Sequence, residues 1–324
     1  MKSLAVGIDL GGTNIKGGLV RRDGSVIVKK SVKTEVQKGT GPEPVVGRIA
    51  GLVADLIAEG GVDKSELVGV CVGSPGPLDS RRGIVYETPN LDWKDVPLSD
   101  MLAPLVDMPV FVENDANVAA FGEQWAGAAK DSVCTIMLTL GTGVGGGIVI
   151  NGELWRGVND VGAELGHMII DYAGRLCGCG AHGCIEAYAS ASALARRMKE
   201  QVEAGSASSL RDAILAGEDV DAKRIYDAAV DGDRLSREMI EETGRLLGIA
   251  IVSYVNIFNP DCVVLHGGLV NAGDMLFEPL LAEVNERCFE SSLRVLRVLP
   301  SALKGDAGIV GAAGLAFQRA EDIA

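Results

Sequence analysis

Two stretches of the chain repeat one pattern of apolar and polar positions. "AVGIDLGGTNIKGGLVRRDG" (5–24) and "TIMLTLGTGVGGGIVINGEL" (135–154) each run an apolar segment into a turn of glycine and threonine, return along a second apolar segment, and reverse again at DG or NG. Apolar runs of this length bounded by such turns read as β-hairpins. The self-similarity points to two related halves, each opening with a hairpin. Between the hairpins, residues 42–60 carry a helical period, "ELVGVCVGSPGP" (66–77) reads as a buried strand ending in a turn, and "MPVFVEND" (108–115) as another strand. Asp115 then opens the helix "ANVAAFGEQWAGA". Beyond the second hairpin the pattern predicts helices over 186–204, 209–217, 222–230 and 233–257, a strand in "PDCVVLHGG" (260–268) and a closing helix in "AGIVGAAGLAFQRA" (307–320). No proline-rich linker or low-complexity stretch separates the halves, so they are expected to share a cleft.

Composition narrows the class. The chain has 324 residues, enough for two domains of about 150 residues. A hydrophobic fraction of 47% beside 23% charged residues is that of a soluble globular protein, and 43 glycines imply many tight turns or backbone contacts to a ligand. A formal net charge of −14 repels nucleic acid and anionic membrane surfaces, which excludes both as main partners. The opening "MKSLAVGIDLGG" is too short and too polar for a signal segment, and no run of 18 apolar residues occurs. A cytoplasmic location is expected. There, seven cysteines read as thiols or metal ligands rather than disulfides. Cys71, Cys134 and Cys262 lie in apolar runs and read as small buried side chains.

Candidate chemistry concentrates at a few places. "DLGGTNIK" (9–16) sets an acid at a strand end, a turn without Cβ at two positions, then a hydroxyl and a lysine. Glycine lets backbone N–H groups approach phosphate oxygens, and Asp9 could hold a magnesium ion through water. A plain glycine hairpin reads equally well from this stretch alone. The second copy, "TLGTGVGGG" (139–147), adds weight because two glycine hairpins can grip one triphosphate from both sides. Neither matches a Walker loop, and a G-x-G-x-x-G between two strands argues against a dinucleotide fold. "VENDANVAAFGE" (112–123) supplies Asn114 and Asp115 where a strand stops and a helix begins. Asp115 is either an N-cap or a carboxylate placed to accept a substrate hydroxyl proton.

"GAELGH" (162–167) puts Glu164 and His167 three apart, on one face of a short helical turn. "RLCGCGAHGCIE" (175–186) packs three cysteines into eight positions. His167 with Cys177, Cys179 and Cys184 would make a closed, tetrahedral Cys3His zinc site, with unmetallated thiols as the alternative and His182 as a rival ligand. A disulfide would leave one cysteine over, and a redox pair more often shows C-x-x-C than C-x-C. A closed site has no room for water, so its job would be mechanical: to fix the loop presenting Glu186 and to orient His167. Glu164, Glu186, His167, Asn114 and Asp115 suit a polyhydroxylated ligand, because a missing hydroxyl leaves a buried acceptor unpaired. In "HGGLV" (266–270) two glycines could let a nucleotide base or ribose lie on the backbone, or simply turn a strand into a helix. Trp93, Trp125 and Trp155 are given no role.

Taken together these motifs closely resemble the ROK family of sugar kinases in the actin-like ATPase superfamily. The two glycine turns, "SPGPLD" (74–79), "PN" (89–90), "END" (113–115), "ELGH" (164–167) and "CGCGAHGCIE" (177–186) fall in the family's order along nearly the whole chain. The resemblance implies an α/β fold of two actin-like (ribonuclease H-like) domains flanking a cleft. The smaller would span 1–117 and be completed by the closing helix 307–324; the larger would span 118–306 and carry the zinc-binding loop 167–184. It implies Asp115 as catalytic base, and Gly76, Asn90, Asn114, Glu164, His167 and Glu186 as sugar contacts. Asp9, Gly11, Gly12, Thr13 and Lys16, with Gly141, Thr142 and Gly143, would serve ATP and magnesium. His266 stands where the family commonly has a third glycine, with Gly267 and Gly268 remaining for the adenosine. The run at 74–98 is most similar to glucokinases of the family, so phosphorylation of glucose at the 6-hydroxyl is the implied reaction. Alternatives are N-acetylglucosamine, N-acetylmannosamine or fructose kinases, a polyphosphate donor, and a sugar-responsive regulator. The regulators carry an added N-terminal helix-turn-helix, for which a phosphate turn beginning by residue 9 leaves no room. A homodimer is the implied assembly.

Overall fold

Both hairpins seed a five-stranded sheet on the same plan. The structure, a computed structural model, describes residues 2–323. In the first sheet β1 (Leu4–Leu10) pairs antiparallel with β2 (Asn14–Arg21), which pairs antiparallel with β3 (Val26–Lys33). Helix α1 (Glu43–Gly60) turns one apolar face, Val45, Val46, Ile49, Leu52, Val53 and Leu56, into the core, and stops where Gly61 takes a left-handed φ of 62°. β4 (Leu67–Ser74) returns parallel to β1, buried along its whole length as a strand with parallel neighbours on both sides must be. A small meander of β5 (Leu78–Asp79), β6 (Ile84–Thr88) and β7 (Trp93–Val96) follows, then α2 (Leu98–Val106). β8 (Val110–Asn114) adds parallel to β4, giving the order β3-β2-β1-β4-β8, and runs directly into α3 (Asp115–Ala126).

The second sheet reuses that order. β9 (Cys134–Leu140), β10 (Val144–Ile150) and β11 (Glu153–Leu154) come first, then a helical stretch of α4 (Glu186–Ala189), α5 (Ala191–Glu203), α6 (Arg211–Leu215), α7 (Ala222–Val230) and α8 (Arg234–Phe258). β12 (Cys262–His266), α9 (Asp274–Arg287), α10 (Glu290–Leu293) and β13 (Arg297–Pro300) complete it, and α11 (Ala307–Ile323) closes the chain. The order is β11-β10-β9-β12-β13, with β12 and β13 parallel, as β4 and β8 are in the first sheet. The helix expected over 186–204 is interrupted at Ser190, which leaves helical geometry (ψ 161°) and caps α5 by accepting from the Ala193 N–H. Among the described residues, no helix is long and apolar enough to cross a membrane.

By contacts the chain divides into one unit of Met1–Thr135, Gly147–Ala163 and Ser301–Ala324 and a second of Ile136–Gly146 and Glu164–Pro300. The first unit thus extends past residue 117 to include α3. The reason is a close crossing of α3 and α11: a Cβ on Gly122 would lie 2.6 Å from the Ala307 carbonyl oxygen, and one on Gly311 only 1.6 Å from that of Val118. Glu123 adds a polar tie. Fully buried on α3, its carboxylate accepts from the Ala128 N–H (2.7 Å), the Ala302 N–H (3.1 Å), the Leu303 N–H (2.9 Å) and the Ser301 hydroxyl. Glu123→Ala leaves these donors without an acceptor and is expected to cost about 3 kcal/mol of unfolding free energy. Urea titration checks this, and a loss below about 1 kcal/mol would mean that water substitutes for the carboxylate.

Candidate active site

Three parallel strands of the first unit end side by side. Register puts Asp9 of β1 opposite Gly73 of β4, Gly73 opposite Glu113 of β8, and Ser74 opposite Asn114. The carboxyl ends of parallel strands are where open α/β sheets bind ligands, because the chain leaves the sheet there and exposes backbone groups. Asp9 also faces Lys16 across the first hairpin, with Oδ2 3.7 Å from the Lys16 Nζ. The turn between them is tied down: the Gly11 N–H donates to the Asn14 carbonyl, the Thr34 hydroxyl to the Gly11 carbonyl, and the Thr34 N–H to the Thr13 carbonyl. Asn90 stands beside this turn, since a Cβ on Gly12 would come within 3.4 Å of the Asn90 Cβ. The first turn of α11 lies over Asp9, where a Cβ on Gly308 would approach the Asp9 Cγ to 3.0 Å.

The cap of α3 belongs to Asn114, not to Asp115. Asn114 Oδ1 accepts from the Ala116 N–H (2.9 Å) and the Asn117 N–H (3.2 Å), and its backbone is extended as a cap residue requires. Asp115 is therefore the first helical residue, exposed at the strand end, and its Oδ1 also accepts from the Ala116 N–H at 2.8 Å. With its oxygen committed, Asn114 would offer a ligand its amide NH2. Gly76, in the turn after β4, has φ 86°, and a Cβ there would sit 2.2 Å from the Glu87 carbonyl oxygen, so only glycine fits.

In the second unit Gly141 and Thr142 of the glycine turn border a cavity of about 460 Å³ that also touches Gly268. Its walls are the apolar faces of helices: Ala191 and Leu194 of α5, Tyr226 of α7, Ile240 of α8, Leu276 of α9, with Leu269 and Ala272 from the turn after Gly267. The chain's glycines mark the turn and Gly268, whereas no local motif marks the helical wall. Gly267 lies at φ 108°, with a would-be Cβ 2.4 Å from the Leu140 carbonyl oxygen, so it lets β12 cross the end of β9.

The cysteine loop closes onto His167. Leu165–His167 forms a single tight turn, held from below by the buried Tyr254, whose hydroxyl donates to the Leu165 carbonyl at 2.6 Å. Burial pushes the Tyr254 phenol well above its usual range. Gly166 passes so close to β10 that a Cβ would lie 1.8 Å from the Val144 carbonyl oxygen. Gly166→Ala is expected to displace the turn and cost about 2–3 kcal/mol of stability, read by thermal melting, and to weaken any metal binding at His167, read by metal analysis. Unchanged values in both would show that the turn tolerates a Cβ.

His167 Nδ1 lies 3.7 Å from Cys177 Sγ, Cys179 Sγ lies 3.7 Å from Cys184 Sγ, and all four ligand atoms fall within 4.8 Å of one another. Ligands on a tetrahedral zinc with bonds of about 2.3 Å are separated by about 3.8 Å, so the donor set and its spacing fit that ion. His182 is elsewhere engaged, its Nδ1 2.9 Å from the Gly174 carbonyl. Without a cation, burial pushes the Cys177 thiol up to about 12, while the Ala181 N–H draws the Cys179 thiol down. With Nδ1 on the thiolate side, His167 Nε2 points toward Glu164, 3.9 Å from its Oε2. Glu186, at the start of α4, sits between two features: its Oε2 accepts from the Val144 N–H (3.0 Å) at the glycine turn and its Oε1 lies 3.5 Å from Cys177 Sγ.

A duplicated α/β sheet plan, a glycine turn in each copy and an acid at the end of the central strand define an actin-like fold of the kind that handles nucleotide phosphates. The chain belongs to the ROK family, whose profile matches residues 5–319. It is 40% identical over 315 residues to a glucokinase of Thermotoga maritima, covering 97% of both chains. Among solved structures it is similar to a ROK hexokinase from Thermus thermophilus (TM-score 0.83, 33% identity, 98% of this chain and 99% of that one). It also resembles a ROK family glucokinase from Streptomyces griseus in complex with glucose and AMPPNP (TM-score 0.79, 36% identity, 97% and 99%).

Proposed function

We infer that the protein is an ATP-dependent glucokinase, transferring the γ-phosphoryl group of ATP to the 6-hydroxyl of glucose. Likeness to glucokinases over nearly the full length supports the reaction, one of those relatives being a complex with glucose and AMPPNP. The single structural observation that carries it is Asp115: an exposed carboxylate at the end of a parallel strand, in the first helical position after the cap residue Asn114.

Asp115 accepts the hydroxyl proton as the oxygen attacks phosphorus and the bond to ADP breaks. In a loose phosphoryl-transfer transition state the base mainly positions the nucleophile, so an ordinary carboxylate suffices. Gly76, Asn90, the Asn114 amide, Glu164, His167 Nε2 and Glu186 hold the sugar's hydroxyls. Asp9, Gly11, Gly12, Thr13 and Lys16, with Gly141, Thr142 and Gly143, hold the phosphates, and Asp9 would hold Mg2+. Bound there, the magnesium ion supplies positive charge against the developing negative charge on the phosphates. Gly267 and Gly268 carry the adenosine, whose base suits the apolar cavity beside Gly268. His167, Cys177, Cys179 and Cys184 would hold a structural Zn2+, which would fix His167 and the start of α4. A homodimer belongs to the same reading, on the family resemblance alone.

Steady-state ADP release across glucose, mannose, fructose, N-acetylglucosamine and N-acetylmannosamine tests the assignment. Glucose is expected to give the highest kcat/KM by at least about tenfold. ADP release with none of them would overturn the kinase reading, and preference for a 2-acetamido sugar would overturn the choice of glucose.

A further inference from the structure

Glu113 is nearly fully buried, 1% exposed, one residue before Asn114, and carries no duty in the reaction as described. Its Oε2 accepts from Arg156 Nε (2.7 Å) and from Arg319 Nη2 (2.9 Å). Its Oε1 accepts from the Asn114 N–H (3.0 Å) and from Asn117 Nδ2 (3.1 Å). The four donors come from three places in the first unit: the β8–α3 junction, the segment after β11, and α11. Arg319 reaches further, donating through Nη1 to the Ser80 carbonyl (2.7 Å), just after the "SPGPLD" turn, while the Ser80 N–H donates to Asp160. One carboxylate shared by two guanidiniums is expensive to assemble for stability alone, since removing charges from water costs several kcal/mol per ion.

We propose that Arg319 and Glu113 are positioning residues for phosphoryl transfer. Glu113 grips the peptide N–H of Asn114 and the first turn of α3, Arg319 locks Glu113 in that orientation, and together they fix where Asp115 presents its carboxylate. The inference rests on the assignment of Asp115 as base. A cavity of about 730 Å³ borders Arg156 and Arg319 with Trp155, Asp160 and Val112, so the arginine site can be reached from outside.

Two variants test it. Arg319→Lys keeps the charge and stem but cannot reach Glu113 and Ser80 at once. Arg319→Ala empties the place of the guanidinium. Misplacing a reacting group by about 1 Å costs about a hundredfold, so Arg319→Lys is expected to lower kcat tenfold to a hundredfold, with the KM for ATP and the calorimetric affinity for glucose within about threefold of wild type. Turnover of Arg319→Ala should rise at least about threefold when millimolar ethylguanidine is added, through the adjoining cavity, at unchanged melting temperature. In an Asp115→Asn background Arg319→Lys should add little further loss, because the group it positions is already gone.

A wild-type kcat in Arg319→Lys overturns the proposal. So does a loss that tracks reduced glucose affinity and a lowered melting temperature without rescue, which is the mark of a merely structural tie. Should Asp115→Asn alone retain turnover, the base assignment fails instead, and the single variants still report whether Arg319 sets kcat.

Discussion

Asp115→Asn will cut turnover by at least about a hundredfold while leaving glucose binding in place. The amide matches the carboxylate in shape but cannot take the hydroxyl proton, and removing a general base costs about a hundredfold to ten-thousandfold. The fold gives a reason to expect a clean result. Asn114, not Asp115, caps α3, so the substitution leaves the helix start intact and should change stability by no more than about 0.5 kcal/mol. The sugar contacts assigned to Gly76, Asn90, Asn114, Glu164, His167 and Glu186 remain, so calorimetric affinity for glucose should stay within about threefold of wild type. Steady-state ADP release supplies kcat. A variant whose turnover stays within about tenfold of wild type removes Asp115 as the base.

The second large effect is expected at the metal loop. Cys184→Ala should reduce zinc from about one ion per chain to near none and raise the KM for glucose together with a fall in kcat. The reason lies in how little else holds the segment. Its satellite core consists of Cys177, Cys184 and Ala187 with Ala181 and Tyr188 against them, while Ile169, Tyr172 and Leu176 are exposed. Loop hydrogen bonds, such as the Cys177 N–H to the Ala181 carbonyl and the Gly183 N–H to the Arg175 carbonyl, and the Arg175–Glu200 ion pair tie the segment at its polar groups. Where so few apolar side chains are buried, a bound metal would take the place of a core. His167 and Glu186 hang from this loop, so losing the ion should blur both. Chelation of the wild-type protein should reproduce the variant, and added Zn2+ should restore the chelated wild type but not Cys184→Ala. Full activity from metal-free protein would separate the loop from catalysis.

Some of this site is readable in residue order because its parts are local. The glycine turns announce themselves within a few residues, as do the acid at the end of β1 and the three cysteines between 177 and 184. Other elements are hidden for identifiable reasons. Strands β5 to β7 are two to five residues long, too short to show a period of two, and α2 and α9 each enclose a proline, Pro104 and Pro279, that interrupts the helical pattern. Which of Asn114 and Asp115 caps the helix could not be read from the sequence, because both are good cap residues and only backbone geometry separates them.

Sequence by itself determined the two hairpins, the buried parallel strands, the related halves and the cysteine cluster, since each is written in turn chemistry and apolar spacing within about a dozen residues. Tertiary structure alone decided that Glu113 meets Arg319, 206 residues away, that Glu123 meets Ser301, and that four helices wall one apolar cavity. Those pairings have no period and no motif. They follow from how the closing helix and the long helical stretch pack, where burial forces each charge to find a partner wherever the folded chain brings one.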